Sequence, residues 1–391
     1  MESKWNKIIR KPITLTMIAI ILGFIVAGII LAAAGYPPLK SISVLISGMF
    51  GRPKYVSNVI IKSTPIIFTG LGVAFAIKTG LFNIGAEGQY IMGCVAATIA
   101  GICLDLPAPL EIICVIGAAV AASGLYAGII GFLKARKGIH EVITSIMLNW
   151  IALYFSNWIC NIDYFHKEGT IGTKTVNPSA YTLFLYDWKT SDAGKQWLIA
   201  HPFFKDTLLK TDVNAGFIVA VLAAIAITWL LTRTRKGYEL RAVGANKSAA
   251  AFTGIDVNKN IFHSMVISGA LCGLGAGFYI TGMSPHCIST LSAFENVGFN
   301  GLSVAFIAAS SPIGCIFAGL LFGGLLYGGA SLQSQVGAPT EIINIVIGII
   351  VFFCALSYVI PQLMDRYARK SVRSAAEKNA VQNQKGAGDA E

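Results

Sequence analysis

Long apolar stretches alternate along the chain with short polar ones, and most apolar stretches have the length of a bilayer crossing. About 20 apolar residues span the roughly 30 Å hydrocarbon core as a helix. None of these runs alternates with period two, as a barrel strand would, so helices are the predicted elements. They fall at about 13–34, 59–77, 82 to the LDLPAP turn at 104–109, 112–133, 142–162, 215–231, 261–281, 299–310, 313–327 and 341–359. About ten crossings predict an all-α integral membrane protein with both termini on one side. The eighth run is short and ends at Ser311–Pro312, which predicts a broken or re-entrant helix.

The polar segments give the organisation. Basic residues cluster at Lys4, Lys7, Arg10 and Lys11, at Lys134, Arg136 and Lys137, at Arg233, Arg235, Lys236, Arg241, Lys247 and Lys259, and at Arg366, Arg369, Lys370 and Arg373. Each cluster flanks an apolar run, so all four are expected in the cytoplasm. A cytoplasmic segment at 1–12 then precedes a transmembrane domain at 13–362. That domain carries an external loop at 163–212 and a cytoplasmic loop at 233–260, and a polar tail at 363–391 reads as disordered. The segment at 35–55 reads as a further external loop. The first apolar run lacks a small-residue cleavage signal and is read as a retained span.

Composition sharpens this picture. The chain is 55% hydrophobic and 13% charged, against about 25% charged in soluble domains. Its net charge of +11 is a topology signal rather than a nucleic-acid footprint, because it is split among the span ends. Eight cysteines lie mostly in apolar runs with no CxxC pair, so neither a disulfide framework nor a metal site is expected. The five histidines are scattered, and HExxH and GxSxG are missing, so no catalytic residue is expected. Glu87, Glu141 and Glu295 lie near breaks or span ends, and no aspartate is mid-span. That weighs against an ion-coupled secondary transporter, which keeps ionisable groups inside its spans.

Two features go beyond spans and loops. The first is KTGLFNIGAEGQYIMG at 78–93, which puts Asn83, Glu87, Gln89 and four glycines between apolar runs. Asn83 is a good N-cap, and Glu87 then stands in the first turn of the third span, where the helix dipole favours an acid. Irregular backbone of this kind survives at membrane depth only when covered by protein or lining a cavity. The second is an internal echo. GLGVAFAIKTG at 70–80 matches GLGAGFYITG at 273–282, and FNIGAEG at 82–88 matches ENVGFNG at 295–301. Asn83, Gly85, Gly88 and Gly101 pair with Asn296, Gly298, Gly301 and Gly314. The two copies run in opposite directions in the predicted topology, as in inverted-repeat transporters with broken central helices.

In the basic loop, NKSAAAFTGIDV predicts a short helix of small residues over 248–253, closed by Gly254. GANKSAA is not a phosphate loop, because Asn246 stands where a glycine must precede Lys-Ser. GLFNIGAEGQYIMG, GIHEVITSIMLNWIALY, GYELRAVGANKSAAAFTGIDVNKN and GFNGLSVAFIAASSPIG together resemble permease subunits of the simple-sugar/nucleoside (branched-chain amino acid/ribose-type) ABC importers, nucleoside-type branch. His140 stands where that pattern usually has Asn, and the 163–212 loop is longer than in ribose-type relatives.

The resemblance implies a transport subunit for nucleosides in a prokaryotic cell membrane, multi-pass with both termini cytoplasmic; the runner-up is a ribose- or galactose-type sugar permease. It implies no cofactor in this chain and ATP-Mg on separate ABC ATPase subunits. A second permease subunit, homologous or a second copy, an extracellular substrate-binding lipoprotein and membrane lipid are the other implied partners; nucleic acid is not. Residues implied to dock the ATPase are Arg241, Ala242, Asn246, Ser248, Ala249, Ala250, Ala251, Gly254 and Ile255. Candidates for the substrate path, for polar or aromatic contact, are Phe82, Asn83, Glu87, Gln89, Tyr90, Asn149, Trp150, Asn296, Phe299 and Asn300, with Asn157 also considered.

Overall fold

The computed structural model of the chain describes residues 12–354 and 356. Its helices are α1 Pro12–Ala33, α2 Pro38–Phe50, α3 Pro53–Lys78, α4 Ala86–Cys103, α5 Ala108–Lys137 and α6 Glu141–Cys160. They continue as α7 Gly216–Arg233, α8 Arg235–Ala245, α9 Lys247–Phe252, α10 Val257–Gly282, α11 Val297–Ile307, α12 Pro312–Val336 and α13 Thr340–Cys354. Among the described residues there is no β-strand, only isolated bridges such as Gly172 with Ser289. Seven helices there (α3, α4, α5, α6, α7, α10 and α12) are long and apolar enough to cross a membrane. Apolar helical stretches at Ile18–Ala33 and Thr340–Cys354 fall within the first and tenth expected spans. The N-terminal segment before residue 12, the end of the tenth expected span and the tail at 363–391 lie outside the described residues.

The chain divides into two compact units. One comprises α1 and the part of α13 from Asn344; within it, Gly23 of α1 lies against the backbone of Ile350. The other, Leu39–Ile343, holds the remaining helices.

In the larger unit α3 and α10 form the axis. Every residue of α3 from Ser63 to Ala76 is buried, as expected of a helix that is apolar all round. The two helices meet through matched contacts: Gly72 lies against Ser268 and Cys272, and Gly275 against Pro65 and Phe68. Phe68 stacks on Phe278 with centroids 6.0 Å apart and 6° between planes. On its other side α10 meets α5 through small residues, Gly269 and Gly273 against Ala119, Ser123 and Ala127; a Cβ on Gly273 would stand 2.5 Å from the Ala119 carbonyl oxygen. In lipid there is no hydrophobic drive between helices, so close packing of small residues supplies the association. Gly273→Leu is therefore expected to destabilise by at least the ~1–3 kcal/mol typical of overpacking, read as a lower thermal midpoint of the detergent-purified protein.

Two parts differ from the sequence expectation. The 35–55 loop contains α2, whose Val44, Leu45 and Met49 are buried, in part against Gly324 and Gly328 of α12. Lys40, Ser41, Ser43 and Ser47 hide this amphipathic stripe in a polar-looking segment. The segment at 163–212 is folded rather than an open loop. It contains short helices at Pro178–Ala180, Tyr186–Thr190 and Asp192–Ala200, and it is pinned by Thr173 N–H to Ile288 O at 2.9 Å and Val176 N–H to His286 O at 3.0 Å.

The expected break in the eighth run is present. α11 has 11 residues, about 16 Å of helix against a core of about 30 Å. It ends where Ala309 and Ser310 both take left-handed backbone, φ 51 and 56. Ser311 then caps α12 by accepting from the Gly314 N–H at 3.3 Å.

Candidate functional site

The α3–α4 break faces the first turn of α11, and its polar residues are fully buried. Asn83 does not cap α4; the N-cap position is Gly85, with no side-chain cap. Asn83 pairs with Gln89 instead, donating from Nδ2 to Oε1 at 2.9 Å and accepting from Nε2 at 3.0 Å. Asn83 Nδ2 also donates to Ser268 Oγ at 2.8 Å, which donates to Gly72 O at 2.7 Å. Ser123 donates to Gln89 O at 2.6 Å. Asn149 accepts from Gly88 N–H at 2.8 Å and donates to Ile84 O at 3.2 Å. Five helices (α3, α4, α5, α6 and α10) are thus tied at one depth, and the break is covered by protein, as irregular backbone in lipid requires.

Glu87 serves a helix start, but not that of its own helix. Its Oε1 accepts from Asn296 N–H at 2.9 Å, and its Oε2 from Gly298 N–H at 2.6 Å and Phe299 N–H at 3.3 Å. These are free backbone donors at the beginning of α11. Asn296, held in left-handed backbone at φ 65, makes no side-chain cap, so Glu87 supplies the missing acceptors. Gly298 is required here because a Cβ would overlap the backbone of Ala86 and Glu87.

Beside this clamp lies a cleft of about 460 Å³ between α3, α4, α10, α11 and α12. Tyr90, Tyr279 and Tyr327 line it, together with Lys62, Glu295 and Asn300. A second chamber of about 260 Å³ shares Tyr90, Tyr279 and Glu295 with the first. The Tyr90 and Tyr279 rings stand 5.9 Å apart. The size of the first and its mixed lining match small-molecule sites. Lys62 lies nine residues inside α3, roughly 13 Å along the helix and so below the headgroup level of a centred span. Both Lys62 and Glu295 are open to solvent. Ionisable groups at such depth face a water-filled cavity or the bundle interior.

Of the path candidates, Tyr90 and Asn300 line this cleft. Asn83, Glu87, Gln89 and Asn149 are engaged in the network and the clamp. Phe82 packs on Phe306 at 5.9 Å; Trp150 packs on Phe294 at 4.7 Å, and Phe299 meets Phe294 edge-on at 5.8 Å. The Asn296 backbone is held by Glu87 while its side chain is exposed. Asn157 holds Leu291 through two bonds, at 2.8 and 2.9 Å.

At the opposite end of α3, the basic loop folds as two helices. Thr234 caps α8 by accepting from Gly237 N–H at 3.0 Å. The predicted short helix is α9, capped by Asn246, which accepts from Ala249 N–H at 3.1 Å, and ended by Gly254 at φ 83. Asp256 then caps α10 by accepting from Lys259 N–H at 3.0 Å, and this bond holds its carboxyl below the usual range. Ala250 is buried with Val243, Leu81 and Met265. Arg241, Asn246, Ser248, Ala249, Ala251 and Gly254 are exposed, Ala242 and Ile255 half-buried, and Phe252 is 94% exposed. The end of α8 touches the break itself: a Cβ on Gly244 would lie 2.6 Å from Lys78 O and 2.9 Å from Gly80 N. Nearby, His140 caps α6 by accepting from Val142 N–H at 3.3 Å, a role for which Asn is also suited.

Residues 55–355 match the family described as branched-chain amino acid transport system / permease component. The chain belongs to this permease family. It is 37% identical to the guanosine ABC transporter permease protein NupP of Bacillus subtilis, over 90% of this chain and 96% of that protein. It is 32% identical to the nucleoside ABC transporter permease protein NupB of Lactococcus lactis, over 91% and 94%. It is 28% identical to the glucose ABC transporter permease protein TsgB13 of Haloferax volcanii, over 87% and 86%. No solved structure matches the chain.

Four charged or aromatic lining residues of the permease cleft are not among the sequence candidates: Lys62, Tyr279, Glu295 and Tyr327. Lys62 falls near the end of the span expected at 59–77, whereas α3 begins at Pro53. Glu295 had one signal, its place directly before Asn296 in the second copy of the repeat. Tyr279 and Tyr327 look in sequence like ordinary apolar-run aromatics.

Proposed function

We propose that this permease forms the membrane path of an ATP-binding-cassette importer for nucleosides. The observation that carries the reading is the cleft, which puts tyrosine rings, an amide and two charged groups at membrane depth. Aromatic walls suit a base, and hydrogen-bonding groups suit a ribose and base edges. The substrates named for NupP and NupB support nucleosides over the sugar named for TsgB13.

On this reading the basic loops face the cytoplasm, and α9 is the coupling element that docks a separate ABC ATPase subunit carrying ATP-Mg. A second permease subunit completes the path, and an external lipoprotein delivers substrate at the face formed by 163–212. The chain sits in a prokaryotic plasma membrane with about ten crossings and both termini inside. The inverted repeat is supported by the axis: the offset that aligns Gly70 with Gly273 also aligns Gly72 with Gly275 and Pro65 with Ser268. The contact of Gly72 with Ser268 is thus the counterpart of the contact of Gly275 with Pro65.

Uptake of labelled inosine or uridine by cells expressing the full transporter, challenged with unlabelled nucleosides and ribose, tests the substrate. Nucleosides are expected to compete and ribose not; inhibition by ribose alone would replace the nucleoside assignment with a sugar one.

A further inference from the structure

The cleft contains polar groups that the protein leaves unmatched. Tyr90 is 1% exposed, and its hydroxyl has no oxygen or nitrogen partner, only the Cys94 thiol beside it. A buried hydroxyl normally finds a partner, so one on a residue that borders a cleft is a candidate to bind what enters it. Glu295 makes no hydrogen bond or ion pair to a described residue; the Lys62 charge reaches it, but not at ion-pair distance. The Asn300 side chain is likewise unbonded, although its backbone N–H is held by Asn296 O at 2.8 Å. Tyr90, Tyr279 and Glu295 stand on the boundary shared by the two chambers.

We infer that this boundary is a substrate-holding station within the permease, selective for a ribonucleoside through the vicinal hydroxyls of its ribose. A carboxylate offers two adjacent acceptor oxygens, which match the two adjacent O–H donors of a cis-diol. The base then lies against the Tyr279 ring, and Lys62 and Asn300 donate to its ring acceptors. A single carboxylate has nothing comparable to offer a dideoxyribose. The inference rests on the nucleoside reading for its ligand class and adds which groups discriminate and on what feature.

The geometry also explains how the station is kept in register. Glu295 precedes Asn296, and Asn300 follows Phe299, so Glu87 holds the backbone from which both side chains project. Glu87 is a positioning residue here, whereas Glu295 touches substrate.

The test uses the assembled permease–ATPase complex in nanodiscs without the lipoprotein, probed by saturation-transfer NMR with inosine and 2′,3′-dideoxyinosine. Wild type is expected to bind inosine, with transfer to base and ribose protons, and to bind the dideoxy compound about tenfold more weakly. Glu295→Gln is expected to weaken inosine about tenfold and to erase that preference, and Tyr90→Phe to weaken both ligands about threefold. Size-exclusion elution identical to wild type shows that each variant is folded, and Glu295→Asp, which keeps the charge, should restore part of the preference. Unchanged discrimination in folded Glu295→Gln overturns the inference. So does inosine uptake by the complete system with no inosine binding to the complex, while the nucleoside reading stands. Uptake of ribose with no uptake of any nucleoside overturns that reading and the inference with it.

Discussion

Glu87→Ala is expected to prevent accumulation of folded protein. The change leaves three backbone N–H groups of Asn296, Gly298 and Phe299 without the acceptors they now have. Each buried donor left unsatisfied costs about 1–3 kcal/mol, and the whole fold is stable by only about 5–15 kcal/mol. Water cannot repair the loss at Gly298, which is buried and packed against the Glu87 backbone. Glu87→Gln separates the acceptor from its chemistry. A glutamine keeps one oxygen, which can serve Gly298 and Phe299, but it turns an NH₂ toward the Asn296 N–H, donor against donor. A loss of about 1.5–3 kcal/mol, one hydrogen bond to a charged group, is expected. The thermal midpoint of the detergent-purified Gln variant should therefore lie below that of wild type, while the Ala variant should yield no folded protein to melt. A Glu87→Ala protein that accumulates and melts like wild type would remove the clamp from the account.

This clamp also marks the limit of what the sequence discloses. The runs that became α3, α5, α7, α10 and α12 were legible because one physical requirement, about 20 apolar residues per crossing, writes itself directly into the chain. The break at 79–85 was legible too, since Asn83, Gly85 and Gly88 have no other reason to interrupt an apolar run. The partner of Glu87 was not. Local periodicity assigns an acid to the nearest helix start, which is α4, while the donors it serves lie more than 200 residues away. Asn83 was misassigned because its amide pairs with the side chains of Gln89 and Ser268 rather than with the backbone of the nearest helix start. α2 was missed because its buried stripe of Val44, Leu45 and Met49 is narrower than its serine- and lysine-bearing face. The depth of Lys62 was misjudged because Tyr55, Ser57 and Asn58 look like loop, although Pro53 is a favoured first helical residue. Among the path candidates, the sequence could rank residues by polarity. It could not tell satisfied amides such as Asn83, Gln89 and Asn149 from an unmatched Tyr90, because satisfaction depends on contacts between distant segments.

Ala249→Glu with Ala251→Glu is expected to leave the permease folded and to cut uptake by more than tenfold. Both positions are exposed on α9, so the new charges meet solvent in the isolated subunit and cost little there. On the proposed reading they meet the ATPase surface in the complex, where an uncompensated charge at an interface costs several kcal/mol. Ala250 provides the contrast. It is 4% exposed and packed with Leu81, Val243 and Met265, so Ala250→Glu buries a charge and should fail to fold. Phe252→Ala tests the surface from the other side. An aromatic 94% exposed at the end of a capped two-turn helix has the character of an interface anchor, and its removal should reduce co-purification of the ATPase subunits without changing the amount of permease. The path for the mechanical signal is short. α9 follows α8, Gly244 of α8 rests on the backbone of Lys78 and Gly80, and the same break leads within a few residues to Glu87 and the start of α11. A tilt imposed on α8 and α9 thus reaches the residues that line the cleft through packed backbone rather than through flexible side chains. Wild-type uptake by the folded Ala249→Glu, Ala251→Glu protein, with the ATPase still bound, would mean that the drive enters the membrane helices somewhere other than α9.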